Sequence, residues 1–329
     1  MAGNLALPAN FSTTTEGSGI TATSLRSPQG AGRAGDKVFS GATLAAGCLI
    51  LAVLFGVALF LVVQAIPALT APADEIQGGK GFFSYIWPIV IGTLIAATIA
   101  LVIATPIAIG VALFISHFAP RQLASGLGYV IDLLAAIPSV IYGAWGAAFL
   151  AKEISPAYNW LAGNMGWLPI FQGPASATGK TILTAGIVLS VMVLPIITSL
   201  SREIFLQTPK LHEEAALALG ATHWEMIKMS VLPFARPGII SAVMLGLGRA
   251  LGETMAVALV LSSGALTASL IQSGNQTIAA EIALNFPEAS GLKVSTLIAA
   301  GLLLFVITLA VNMIARWIIT RHKEFSGAN

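Results

Sequence analysis

"PIVIGTLIAATIALVIATPIAIGVALF", Pro88 to Phe114, runs for 27 residues without a charged side chain. About 20 helical residues cross the roughly 30 Å hydrocarbon core of a bilayer, so this stretch is long enough to span one. Gly92, Pro106 and Gly110 lie inside it. In a membrane helix they are tolerable, because neighbouring helices re-satisfy the backbone groups they free. The rest of the chain agrees with this reading. Of its 329 residues, 56% are hydrophobic and only 9% charged, and the mean hydropathy is +0.88. A soluble domain carries about 25% charged residues to wet its surface. This chain has too few, so most of its surface must face lipid. A net charge of +2 gives no reason to expect a nucleic-acid partner. Cys48 is the only cysteine, so no disulfide forms within the chain.

Five more runs reach spanning length, and the six together lie near Gly41–Ile66, Trp87–Ile115, Leu127–Leu150, Thr181–Leu200, Pro237–Leu261 and Val294–Ile319. The expected fold class is therefore an all-α integral membrane protein with six transmembrane helices. Lysine and arginine are retained on the cytoplasmic side. Arg26, Arg33, Lys37, Arg121, Arg202, Lys210, Lys228, Arg236, Arg316, Arg321 and Lys323 fall on one side of that topology. Lys80, Lys152, Lys180 and Lys293 fall on the other, so both termini are expected in the cytoplasm. Residues 1–36 are rich in Ser, Thr, Gly and Ala without apolar periodicity and read as a disordered cytoplasmic tail, ahead of a six-span membrane domain over 37–329. "APA" at Ala71–Ala73 resembles a signal-peptidase site, but the apolar run before it is too long and starts too late, which predicts a retained helix.

Gly173–Thr181, "GPASATGKT", imitates a phosphate-binding loop. The motif needs four residues between its glycines and here there are five, no strand precedes it, and it lies on the external side. The chain is not expected to hydrolyse ATP, and nothing in it asks for a cofactor. His212 and His223 lack companions that would make a metal site.

Between the fourth and fifth spans, about residues 201–236, lies the most polar long segment. Thr208-Pro209 breaks the chain, Glu213 and Glu214 sit in the first turns of a helix where the dipole favours them, and Gly220 stops it. A second short helix is predicted from His223 to Val231, ending at Pro233. Two short helices joined at a glycine make a compact cytoplasmic knob. Its acidic start and its tether between two spans exclude a DNA-reading helix-turn-helix.

The knob resembles the EAA loop of ABC importer permeases, E-A-A, three residues, G, nine residues, I-x-L-P. Glu214, Ala215, Ala216, Gly220, Leu232 and Pro233 hold those positions with the spacing intact, while Ser230 replaces the isoleucine. The resemblance implies the type I importer permease fold and a loop that couples to a cytoplasmic ATPase. Within that family the chain is most similar to the phosphate-specific permeases. "AAIPSVIYGAWG" (Ala135–Gly146) looks like their proline-broken third span, and "GLGRALGETMAVALV" (Gly246–Val260) like their fifth. Met255-Ala256-Val257 after Gly252-Glu253-Thr254 favours the PstC-type subunit over the PstA-type. The resemblance further implies a second, PstA-type permease subunit, a cytoplasmic ATPase dimer and an external phosphate-binding protein, with the external loops Ala151–Lys180 and Ser262–Lys293 receiving the last. Tyr158, Trp160 and Trp167 lie in the first of these, and the two tryptophans read as an interfacial aromatic belt.

Arg249 stands at the middle of the Pro237–Leu261 run, where a charge costs about 2.5–3.5 kcal/mol on insertion scales. Glu253 follows at i+4, on the same face of a continuous helix, and can pair with it. Gly248 and Gly252 would let another helix approach. Either the two charges form a self-neutralising packing pair, or Arg249 offers a cation to an anion in transit and Glu253 restrains it when the path is empty. Arginine suits the second role, because it stays charged and its fork matches phosphate oxygens. Asp132, Ser139, Tyr142 and Thr254 are counted with the path, and Pro138 as the break that shapes it. Inorganic phosphate is the expected substrate. A sulfate or molybdate permease, an ion-coupled secondary transporter and a purely structural scaffold are the alternatives.

Overall fold

The computed structural model describes residues 32–323, apart from 77, 78, 80, 263, 265 and 266. The expectation for the N-terminal tail lies mostly outside them. Helix begins at Gly32 rather than after residue 36. Among the described residues the secondary structure is entirely helical.

Five helices are long and apolar enough to cross a membrane. They are α1 (Gly32–Thr70), α2 (Phe82–Leu113, running on through a π-turn to Phe118), α6 (Ile182–Leu206), α9 (Leu232–Leu251, continuous with α8, His223–Met226, through a π-turn) and α12 (Leu292–Lys323). A sixth crossing is bent. α3 (Arg121–Ala135) and α4 (Ser139–Trp145, running on into α5, Ala151–Met165) meet at 87° across Pro138. Proline disfavours the helical conformation in the residue before it, which explains the break. The helix then runs well past the expected limit at Leu150, because nothing from Ala151 to Met165 stops it except a tolerated Pro156.

Chain contacts divide the molecule after Gly56. The first part of α1, to Gly56, exposes apolar side chains all round, as a lipid-facing helix does. In the larger unit the core is built on α2. Ala96, Ala100, Ala104, Ala108 and Ala112 repeat every four residues along one face, and all are at most 1% exposed. Small side chains let backbones approach closely, which is what holds membrane helices together when lipid is as apolar as the core. α6 lies against this stripe, with Ile182, Leu189, Met192, Val193 and Ile197 buried among the alanines. α11 (Ile278–Asn285) and the start of α12 close the end of the molecule where α2 begins.

The segment after α10 (Met255–Val260) is not a free loop. Ile271 O accepts from Ser176 N at 2.9 Å, and Leu270 and Ile170 pair at 2.8 Å. Gln276 O packs so closely on Gly92 that any Cβ there would collide with it. Thr93 Oγ1 accepts from Ile278 N at 3.0 Å. The false phosphate loop is used up by the same contacts. Gln272 donates to the carbonyls of Gln172 and Gly173, and Ser273 Oγ donates to Ser176 Oγ at 2.8 Å.

Candidate functional site

The knob is built as its residues dictate, with two differences. α7 (Lys210–Ala218) ends at Gly220, whose φ of 86° suits glycine, and Thr222 with Glu225 forms a capping box that starts α8. The second helix does not stop at Pro233. It widens into a π-turn at Ile227–Val231 and continues as α9, with Pro233 in the first turn, where a missing N–H interrupts little. α6 also extends to Leu206, beyond the expected Leu200.

Ala216, Met226, Ile227, Val231 and Ala235 form a small core with Phe205 of α6 and Ala112 and Leu113 of α2. Leu232 packs at its edge. Ser230, where the family pattern has isoleucine, donates from Oγ to His212 O at 3.2 Å, so a hydrogen bond stands in for the apolar contact. His117 Nε2 lies 3.6 Å from a Glu213 carboxylate oxygen, tying the end of α2 to α7. Sequence reasoning missed this contact, because 96 residues separate the partners and neither lies in the motif. Glu214, Ala215 and Gly220 are exposed at the tip. Leu219 is 88% exposed and Leu211 76%. The knob is thus fastened to three spans on one side and presents apolar side chains on the other.

At the expected path, the structure corrects the fifth span. The helix ends at Leu251, breaks at Gly252–Thr254, and resumes as α10. Gly252 is a poor helix former. Glu253 Oε1 accepts from Ala256 N at 3.1 Å, and Thr254 Oγ1 donates to Gly252 O at 3.2 Å, so both side chains serve the new helix start. With the helix broken, Arg249 and Glu253 no longer share a face. The ion pairs among the described residues are His117–Glu213 and Arg202–Glu203, so the expected Arg249–Glu253 pair does not form. Glu253 is buried and Arg249 exposed.

Gly248 and Gly252 are not close-packing sites within this chain. A Cβ on Gly248 would meet nothing within 4 Å, and on Gly252 only the Gly248 carbonyl oxygen at 3.5 Å. The close approach is at Gly143 of α4, where a Cβ would lie 2.5 Å from Ala256 Cα. That contact seats the bent third span on α10.

Arg249 lines a cavity of about 930 Å³ between α9 and α12, with Gly248 beside it. Tyr142 is near enough to feel its charge. The Tyr142 hydroxyl donates to Leu134 O at 2.9 Å across the break at Pro138, adding to the bond that this carbonyl accepts from Ile137 N at 3.3 Å. Tyr142→Phe is expected to cost about 0.5–1.5 kcal/mol through that lost bond. It should lower the unfolding temperature of the purified complex while leaving the apparent KM for transport unchanged. Ser139 is the first residue of α4, half-buried. Asp132 stands apart from the cavity. It accepts from Ser199 Oγ of α6 at 2.9 Å, a span-to-span tie. Among the described residues no group of acids, histidines and cysteine could hold a metal. Tyr158 is 1% exposed and shares a 2.7 Å hydrogen bond with Thr184, whereas Trp160 and Trp167 are exposed.

A helical membrane chain with a broken fifth span and a spliced knob of this pattern can be compared with known proteins. The family profile of the binding-protein-dependent transport system inner membrane component matches residues 104–324. The chain belongs to that family. This permease is 46% identical over 301 residues to the phosphate transport system permease protein PstC 2 of Mycobacterium tuberculosis, covering 86% of this chain and 91% of the relative. It is 44% identical over 271 residues to PstC of Mycobacterium leprae, covering 79% and 85%. With PstC of Mesorhizobium japonicum it is 38% identical over 305 residues, covering 89% and 92%. The solved bacterial alginate ABC transporter, in complex with an alginate pentasaccharide-bound periplasmic protein, shares the fold. The TM-score is 0.57 at 18% identity, covering 87% of this chain and 96% of that one. The chain is a multi-pass inner-membrane permease subunit of an ABC importer, with ATP hydrolysis belonging to a separate subunit.

Proposed function

We propose that this permease carries inorganic phosphate, as the PstC-type subunit of an importer that also contains a PstA-type permease, a cytoplasmic ATPase pair and an external phosphate-binding protein. The observation that carries the proposal is the guanidinium of Arg249 at the broken end of α9, lining a cavity and without an acid within ion-pair distance among the described residues. A cation held there is neutralised best by an anion, and the planar fork of arginine matches the oxygens of phosphate in pairs. The PstC names of the relatives specify which anion.

Glu253 helps by serving the start of α10. Its carboxylate accepts from Ala256 N–H and makes no ion pair with Arg249, so the guanidinium keeps its charge for an anion. The knob supplies the motion. Its exposed Leu211 and Leu219 suit a groove on the ATPase, and its inner core passes any push to α2, α6 and α9 together. The excess of basic residues on the knob side supports a cytoplasmic knob and cytoplasmic termini. External loops around Trp160 and Trp167 are left to receive the binding protein.

The test is competition uptake by the reconstituted complex. Labelled phosphate uptake should be inhibited by unlabelled phosphate and by arsenate, which shares its shape and charge, and not by sulfate. Equal inhibition by sulfate would overturn the phosphate assignment.

A further inference from the structure

α7 carries the E-A-A residues, yet little fastens it to the spans. Among the described residues, Ala216 is the one member of α7 in the knob core, and His212 O takes the hydrogen bond from Ser230. A further tie runs to the end of α2, where a Glu213 carboxylate oxygen lies 3.6 Å from His117 Nε2. His117 belongs to the π-turn that ends this span, and its side chain is only 7% exposed. Ser116 Oγ lies 2.7 Å from its Nδ1, and the ring meets Phe205 of α6 edge to face at 6.4 Å. A bare Nε2 would set its lone pair against the carboxylate, so Nε2 carries a hydrogen. From α8, His223 Nε2 lies 3.4 Å from His117 O, and the His223 ring meets Phe118. The imidazole is thus seated by its own turn and by α6, and both short helices of the knob reach it.

We propose that His117 is the positioning residue through which α7 drives α2 when the ATPase moves the knob. An apolar core has no preferred direction, so its side chains slide past one another as a helix shifts. A polar contact has direction and weakens steeply when its partners part. Glu213 lies in the first turn of α7, one residue before the E-A-A run, so movement of that run reaches the imidazole at once. From His117 the chain of α2 leads back to Thr93, 24 residues away and about 36 Å along the helix. There Thr93 Oγ1 accepts from Ile278 N of α11, so the push arrives at the other end of the molecule. At 3.6 Å the contact is longer than a hydrogen bond, which lets it part and close again within a transport cycle. This inference rests on the proposed reading of the knob as the ATPase contact and of phosphate as the cargo.

The experiment uses the full complex with its binding protein in sealed vesicles, and measures labelled phosphate taken up and ATP hydrolysed in the same sample. His117→Phe keeps a ring against Phe205 and removes both nitrogens. Glu213→Ala removes the carboxylate and keeps a good helix former. In each variant the ATPase should copurify and hydrolyse ATP, while phosphate moved per ATP falls by about 3- to 10-fold. The double variant should fall no further, because both changes remove the same contact. A merely structural role would lower the amount of complex and its unfolding temperature without moving that ratio. A ratio at the unaltered level in either single variant would overturn the proposal. So would a double variant whose loss is the product of the two single losses, or loss of the ATPase from either single variant. Absence of phosphate uptake by the unaltered complex, or an ATPase that stays bound through both Leu219→Asp and deletion of Glu214–Gly220, would instead overturn the reading on which the proposal rests.

Discussion

Arg249→Gln is expected to reduce phosphate uptake by about 10- to 100-fold in cells or vesicles that hold normal amounts of the complex. A hydrogen bond to a charged group is worth about 1.5–3 kcal/mol, and each 1.4 kcal/mol is tenfold. Glutamine keeps two donors and much of the length but loses the charge, so the change removes attraction for an anion with little disturbance of packing. The structure makes this a clean substitution, because Arg249 is exposed on the cavity and makes no ion pair among the described residues whose loss would strand a buried acid. If the arginine served only to pack α9, uptake would remain near the unaltered rate. Neutralising Glu253 acts elsewhere. Glu253→Gln retains an acceptor for Ala256 N–H, so its first effect is on the start of α10 and not on the charge of the path.

The second large effect is expected at the knob. Leu219→Asp should abolish stable association of the cytoplasmic ATPase and, with it, ATP-driven uptake. Leu219 is 88% exposed and outside the knob core, so the fold has no reason to fail. A charge placed in an apolar contact must be desolvated without a partner, which costs several kcal/mol. Copurification of the ATPase with the permease measures the result. Retained association in Leu219→Asp, together with retained association after deletion of Glu214–Gly220, would place the ATPase contact elsewhere.

The sequence carried the spans and the knob because their signals are local. Long uncharged runs, the E-A-A spacing and the stop at Gly220 need no knowledge of distant neighbours. Pro138 announced the bend of the third span for the same reason, since a proline restricts the residue before it wherever it occurs. The errors arose where tertiary contacts outweigh periodicity. Arg249 and Glu253 sit at i and i+4, and a helix pattern alone pairs them. The break at Gly252 is stabilised by Glu253 bonding to Ala256, which the spacing i to i+3 permits but does not demand. Glycines that matter for packing include Gly92 and Gly143, whose partners, Gln276 and Ala256, lie far away in the chain. Likewise the alanine stripe of α2 was visible as Ala96, Ala100, Ala104 and Ala108, but only the burial against α6 separates it from ordinary apolar filling. Arg316 was read as a cytoplasmic-side charge, and its place in the same cavity as Arg249 depends on α12 running back beside α9.

As the phosphate-conducting permease of an ATP-driven importer, this chain must draw on ATP alone. The most direct measurement is the energy source of transport by the purified complex in sealed vesicles with the binding protein outside. Labelled phosphate should accumulate when ATP is supplied on the knob side and continue at the same rate when ionophores abolish proton and sodium gradients. Accumulation that needs such a gradient and proceeds without ATP would make the chain an ion-coupled transporter instead.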